Sequence, residues 1–233
     1  MFLYKYNIFQ KDECKKYIEK VNSLSSNFIY EIDGYFSTLG VAAYQHAENF
    51  ELYCNRVNDI NFLLWNSFES IYIKLKDFFE DFFKCKVLYP ALKLSLPGFH
   101  IFEIGRRQCF YGGSPHYDLS YKTLPYINWN ENELYPDHYS FTISFQLPYY
   151  GSGLNIWEFQ LTSETQSLTD LQIRQICTAE NKTFVNYNVG EMVLFNGYNY
   201  HQISEIKKTK ESDRRITMQG HLIKNNNKLL IYW

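Results

Sequence analysis

Tyr139-Ser140-Phe141-Thr142-Ile143-Ser144-Phe145-Gln146-Leu147 alternates large apolar residues with small polar ones over nine positions. That period of two marks a β-strand with one apolar and one polar side. Similar, shorter runs flank it. Residues 91–96 and 99–104 read as strands parted by Pro97-Gly98, and residues 154–159 follow the turn Gly151-Ser152-Gly153. Residues 184–188, 191–195, 201–206 and 215–223 complete the set, with Asn188-Val189-Gly190 and Asn196-Gly197 as hairpin turns. The polar stretch 162–170 reads as loop.

The first third has a different period. Residues 12–24 place Tyr17, Ile18, Val21 and Leu24 at helical spacing. A longer helix is expected from an N-cap at Asp59 to about Lys84. Its apolar stripe comprises Ile60, Leu64, Phe68, Ile71, Leu75, Phe78, Phe79 and Phe82, and Asn61, Glu69, Lys76 and Asp77 lie opposite. About eight short antiparallel strands after such helices predict a mainly β protein with N-terminal helices, a jelly roll with the helices packed on one sheet. The chain is read as a single domain over 1–233. Residues 1–90 form a mainly helical support layer, 91–223 the β core and 224–233 a C-terminal segment.

Composition narrows the function. The 233 residues carry 23 basic and 25 acidic side chains, a net charge of −2, and the pI is near 6.3. That balance gives no electrostatic reason to bind nucleic acid or a membrane surface. Hydrophobic residues make up 45%, which supplies a large core, and 21% charged residues argue against disorder. No apolar run is long enough to span a bilayer, and the start, Met1-Phe2-Leu3-Tyr4-Lys5-Tyr6, is not that of a signal peptide. Five dispersed cysteines form no CxxC pair. Neither a disulfide framework nor a thiolate zinc site is suggested, and a reducing cytoplasm is expected. Nothing here sets the oligomeric state. Aromatic residues reach 19%, with 21 Tyr and 19 Phe, a supply of rings with polar tips that suits a lined cavity.

One constellation carries chemistry. In His116-Tyr117-Asp118 the two outer residues share one side of an extended segment, so imidazole and carboxylate can meet one ion. The approach, Tyr111-Gly112-Gly113-Ser114-Pro115, is small and turn-forming. Further on, Gly190-Glu191-Met192-Val193-Leu194-Phe195-Asn196-Gly197 is a turn, an apolar strand and a second turn, and His201 opens the next strand. His116, Asp118 and His201 would make the two-histidine, one-carboxylate face of an octahedral ferrous site with open positions. On the following strand Arg215, Thr217, Gln219 and His221 share a polar side, and Arg214, Ile216, Met218 and Gly220 share the other. Arg215 is therefore chosen over Arg214 to hold a carboxylate, with Thr217 adding a hydroxyl.

The order HxD, then Gly-x-x-Val-Leu-Phe before a distal histidine, then Arg-x-Thr, resembles the Fe(II)/2-oxoglutarate-dependent dioxygenases, in particular their compact phytanoyl-CoA- and prolyl-hydroxylase-like branches. The strand 140–147 with its Gly-rich turn adds to the likeness, which covers residues 90–223. The resemblance implies a double-stranded β-helix in which His116, Asp118 and His201 bind Fe(II) and Arg215 binds the distal carboxylate of 2-oxoglutarate. Dioxygen and 2-oxoglutarate would be co-substrates, yielding succinate, CO2 and an oxidised small-molecule substrate. Halogenases of this superfamily carry a small residue in place of the carboxylate, so Asp118 implies hydroxylation, with desaturation or cyclisation left open. An amino acid or amino-acid-derived metabolite is the substrate expected first. A residue within a peptide or protein is the alternative substrate, and a non-enzymatic jelly-roll binding module is the alternative class.

Other residues have two readings. Arg107 is either a strand-end charge or a partner for a substrate carboxylate. Trp157 either walls the substrate pocket or packs in the core, and His221 is a further candidate for the cavity. His100 is read as a hydrogen-bonded core histidine, and His46 and His138 as surface. The aromatic-rich stretch 120–137 is either a lid or a plain loop.

Overall fold

The computed structural model describes residues 1–32, 35–46, 50–89, 94–106, 110–124, 136–225 and 227–233. Their regular elements are β1 (Leu3–Asn7), α1 (Lys11–Ser23), β2 (Ile29–Ile32), β3 (Phe36–Leu39), α2 (Phe50–Phe83), β4 (Lys86–Leu88), β5 (Gly98–Phe102), β6 (His138–Gln146), β7 (Gly153–Gln160), α3 (Asp170–Ile176), β8 (Lys182–Asn186), β9 (Glu191–Asn196), β10 (Asn199–Ile203), β11 (Arg215–Asn225) and β12 (Lys228–Tyr232), joined by short 3₁₀ turns. The strands form two sheets. The larger runs β1-β9-β6-β11-β5-β3-β2, with β12 and β4 added beside β11, and the smaller is β10-β7-β8. No helix among the described residues is long and apolar enough to cross a membrane.

The alternation on β6 and β11 decides the layering. Phe141, Ile143 and Phe145 of β6 join Ile216 and Met218 of β11 and Met192 and Leu194 of β9 in one buried cluster with Leu64, Phe68, Ile71, Leu75 and Phe79 of α2. The next residues in each strand face the other way. Val193 and Phe195 of β9 pack against Leu154, Ile156 and Val185 of the small sheet. Helices thus cover one face of the large sheet and the small sheet covers part of the other. Ser140, Thr142 and Ser144 lie on that second face, paired in register with His221, Gln219 and Thr217.

Several expected boundaries shift. The long helix begins at Phe50, with Asp59 inside it. Tyr53 and Val57 continue the buried stripe a turn further, so packing extends the helix past a plausible cap. At Phe68 its backbone leaves helical angles, directly after Asn66-Ser67, whose side chains compete with the main chain. Asn61 is buried, contrary to its place on the polar side: its amide donates to Leu94 O and accepts from Leu96 N, both at 2.9 Å. The expected strand 91–96 lies partly outside the described residues, and 94–96 is not strand. Further elements were not expected: β1, β2, β3 and β4 are strands within the layer read as mainly helical, β12 in the C-terminal segment pairs with β11 and β4, and α3 follows the polar loop from the Thr169 cap.

Phe79 and Phe141 are buried with rings 5.3 Å apart, where α2 meets β6. Phe79→Ala should cost about 3–5 kcal/mol, read as a lowered urea midpoint. A loss below about 1 kcal/mol would mean that α2 is not seated on the sheet as described.

Candidate metal centre

Residues 110–118 run antiparallel beside β10. Phe110 bridges Ile206, Gly113 N donates to Ile203 O, and His116 and His201 exchange both backbone hydrogen bonds at 2.9 and 3.0 Å. Asp118 N then donates to Gly197 O at 3.1 Å. The approach depends on Gly112, which has φ +87° and where a Cβ would sit 2.5 Å from Ile203 O.

This pairing brings His116, Asp118 and His201 together. One ligand atom from each lies within 4.8 Å of the others. Asp118 Oδ1 is 3.6 Å from His116 Nε2, and its Oδ2 is 3.4 Å from His201 Nε2. Bonds of about 2.1 Å at right angles place neighbouring ligand atoms about 3 Å apart, so the triad is close to that spacing. Both histidines place Nδ1 at a main-chain carbonyl, Ser114 O at 2.7 Å and Asn199 O at 2.9 Å. A proton on Nδ1 leaves the Nε2 lone pair for an ion.

The charges follow. Burial raises the Asp118 carboxyl, but His201, His221 and His116 outweigh it and hold the group well below the carboxylate range. Burial lowers His201 to about 4 against the pull of Asp118. His116 suffers desolvation too, yet Asp118 and the Ser114 carbonyl raise it. Its side chain is half exposed, whereas that of His201 is buried, so the triad sits where the interior opens to solvent.

A cavity of about 540 Å³ opens from the triad, lined among others by Phe36, His100, Phe102, Tyr187, Gln219 and His221. His221 Nδ1 is 3.0 Å from Ser140 Oγ and 3.9 Å from Asp118 Oδ2. Arg215 and Thr217 are fully buried. The guanidinium lies against Phe102 and Tyr187, 5.4 and 5.7 Å from their ring centres. None of its three nitrogens makes a hydrogen bond of good geometry among the described residues, and neither does Thr217 Oγ1 or Ser144 Oγ. Burial lowers its pKa, opposed by the charge and the weaker hydrogen bond of the Tyr187 hydroxyl. Arginine nonetheless stays charged, so a cation with Tyr187 as its polar neighbour is held behind two rings of the cavity wall.

The remaining candidates divide. Trp157 packs with Ile173, Cys177 and Tyr200, away from the cavity, and its indole N–H donates to Thr178 O. Position 157 lies inside the small sheet's outer cluster, so core packing describes it. Arg107 and most of the stretch 120–137 lie outside the described residues. Arg214 bonds Glu103 and Asn22. His100 is buried and bonded to the Tyr44 hydroxyl at 2.8 Å, as a core histidine, although it also lines the cavity. His138 is not at the surface: it is buried, with Nε2 3.1 Å from the Tyr232 hydroxyl. The preceding Pro136-Asp137 suggested a loop, but β6 already begins at residue 138. Tyr187 was read only as part of a strand; it follows β8, and no pattern in the sequence points it at Arg215.

No protein-family model matches the sequence, and no curated protein matches it either. Solved structures do match in fold. An N-substituted L-amino acid dioxygenase from Burkholderia ambifaria AMMD superposes with a TM-score of 0.59, and with 0.61 in its complex with alpha-KG. Each is 14% identical over 99% of this chain and 86% of theirs. AviO1 from Streptomyces viridochromogenes Tue57 gives 0.52 at 9% identity, over 97% of this chain and 90% of that one. At these identities the likeness is one of fold, and it agrees with the dioxygenase resemblance carried by the motifs.

Burial holds His100 and His138 near a pKa of about 3. In the unfolded chain each takes up a proton near pH 6.5. Below that pH the unfolded state binds more protons, so stability falls as pH drops, by up to about 1.4 kcal/mol per pH unit for each histidine. Urea unfolding at pH 7 and pH 5 should show this decline, and His138→Gln should make it shallower. An equal slope in the variant would place His138 in water.

Proposed function

We propose that this protein is a cytoplasmic Fe(II)- and 2-oxoglutarate-dependent oxygenase. It hydroxylates an unactivated C–H bond of a small molecule, an amino acid or amino-acid-derived metabolite. Its two sheets are read as the halves of a double-stranded β-helix. One observation carries the proposal: a two-histidine, one-carboxylate cluster opens onto a cavity behind whose Phe102 and Tyr187 wall a buried arginine lies. The fold likeness to an amino acid dioxygenase solved with alpha-KG supports it.

The donor set fits a ferrous ion, and the guanidinium fits a carboxylate in want of a planar, charge-assisted partner. Ferrous iron with 2-oxoglutarate and dioxygen supplies the oxidising power for C–H hydroxylation. The chain's own residues prepare the site. His116 and His201 present Nε2 because main-chain carbonyls occupy Nδ1. Asp118 stays ionised, so it binds metal without first losing a proton. Arg215, with Thr217 beside it, would take the far carboxylate of 2-oxoglutarate and fix its direction. Phe102 and Tyr187 exclude water around that pair and so strengthen it.

Anaerobic Fe(II) plus 2-oxoglutarate should produce a visible charge-transfer band. His201→Ala should abolish it. Arg215→Ala should weaken 2-oxoglutarate binding about 100-fold while metal binding persists. A succinate-formation screen across free amino acids, acyl-CoA thioesters and peptides would then find the substrate class. No band and no succinate from metal-loaded protein would leave a binding module as the better reading.

A further inference from the structure

The inner face of the large sheet is an ordered grid. In register, Phe36 on β3 pairs with Phe102 on β5, and Phe102 with Arg215 on β11. One step along, Thr38 pairs with His100, and His100 with Thr217. On the far side of β11, His221 pairs with Ser140, and Ser140 with Phe195, whose ring is 4.8 Å from that of His201. The metal triad thus lies over the His221 end and the guanidinium over the other. β3 and the outer side of β5 remain for something else.

What they offer is a slot of rings. Phe36 and Phe102 stack with centres 4.4 Å apart, and His100 meets Phe36 edge-on at 5.1 Å. Tyr44 closes the slot on the solvent side. It is 48% exposed, lines the cavity, and fixes its hydroxyl on His100 Nε2. Across the cavity stand Leu119 and Ile203. Among the described lining residues none is Lys, Arg or Glu, and the one carboxylate, Asp118, belongs to the metal triad. Gln219 and the serines are neutral, and His100 is uncharged at pH 7. A charged group brought here loses hydration and meets no countercharge among the described lining residues other than Asp118. An aromatic ring meets edges and faces at stacking distance.

We infer that the part of the cavity walled by the stacked Phe36–Phe102 pair and by Tyr44 is the substrate subsite, and that it takes an uncharged aromatic ring against that wall. This inference rests on the oxygenase reading for the identity of the occupant as substrate, and the slot itself is tested without turnover. The amine and carboxylate of an amino-acid-derived substrate would then be either masked or kept outside the ring-walled part.

Three matched probes carry the test: N-acetyl-L-phenylalanine amide, which is uncharged, N-acetyl-L-phenylalanine, an anion, and L-phenylalanine amide, a cation. Binding is read by saturation-transfer NMR and titration on the whole protein, alone and loaded anaerobically with Fe(II) and 2-oxoglutarate. The uncharged probe should bind at least tenfold tighter than either charged one. Tyr44→Ala, at the half-exposed mouth, should weaken it about tenfold. Phe36→Asp should reverse the order in favour of the cation. Equal or tighter binding of a charged probe to the unaltered protein, no binding of any probe, or indifference to both substitutions would each overturn the inference. Neutral-ring binding without a charge-transfer band or succinate would retain the slot and remove the oxygenase reading.

Discussion

The candidate metal centre depends on a backbone pairing before it depends on any side chain. His116 and His201 are 85 positions apart, and their ligand atoms meet because residues 110–118 are zipped onto β10 by main-chain hydrogen bonds. Each such bond contributes little by itself, about 1 kcal/mol. Together they fix register, and register decides side. His116 and Asp118, two apart, both point towards His201, and a slip of one residue would send them to the opposite side. Gly112 guards that register, since a side chain there collides with the Ile203 carbonyl. The carbonyls of Ser114 and Asn199 then orient the two imidazoles. The cluster is therefore arranged by main-chain contacts.

The same face carries a cost. Burying a guanidinium away from water is unfavourable by several kcal/mol, and the Phe102 and Tyr187 rings, with the Tyr187 hydroxyl, recover only part of this. A fold that keeps Arg215 in this state gains from any anion that reaches it. Binding of a carboxylate adds stability by mass action, and burial makes the added pair strong. The Thr217 and Ser144 hydroxyls, adjacent in register to each other, lie on the same face.

Much of this was legible in the sequence, and the reason is period two. On β6 and β11 the apolar side faces α2 and the polar side faces the cavity, as the alternation requires. The strand parity that separated Arg215 from Arg214 describes both: one is buried on the inner face, the other bonds Glu103. Other features left no periodic trace. β12 carries the apolar run 229–232, whose strand character comes from pairing with β11 and β4. β1 is short and gains its place from β9. Asn61 and His138 were read by type as polar and outward, yet each is buried because it has a partner that only tertiary structure supplies. Trp157 lies beyond such reasoning too, since either side of the small sheet accepts an indole.

The ring-walled slot and the charged end of the cavity are consequences of one strand order. β11 lies between β5 and β6, so its polar residues form a lane down the middle of the inner face. Placing β3 outside β5 puts Phe36 next to Phe102, which makes the flank of that lane aromatic. On the proposed reading, a co-substrate with two charged ends would follow the lane, with the triad at one end and Arg215 beyond the other. The flank, without such charges among the described residues, favours groups that lose little on leaving water. On that reading strand position separates the two parts of the cavity, with His100, kept neutral by its burial and by Arg215, at the boundary.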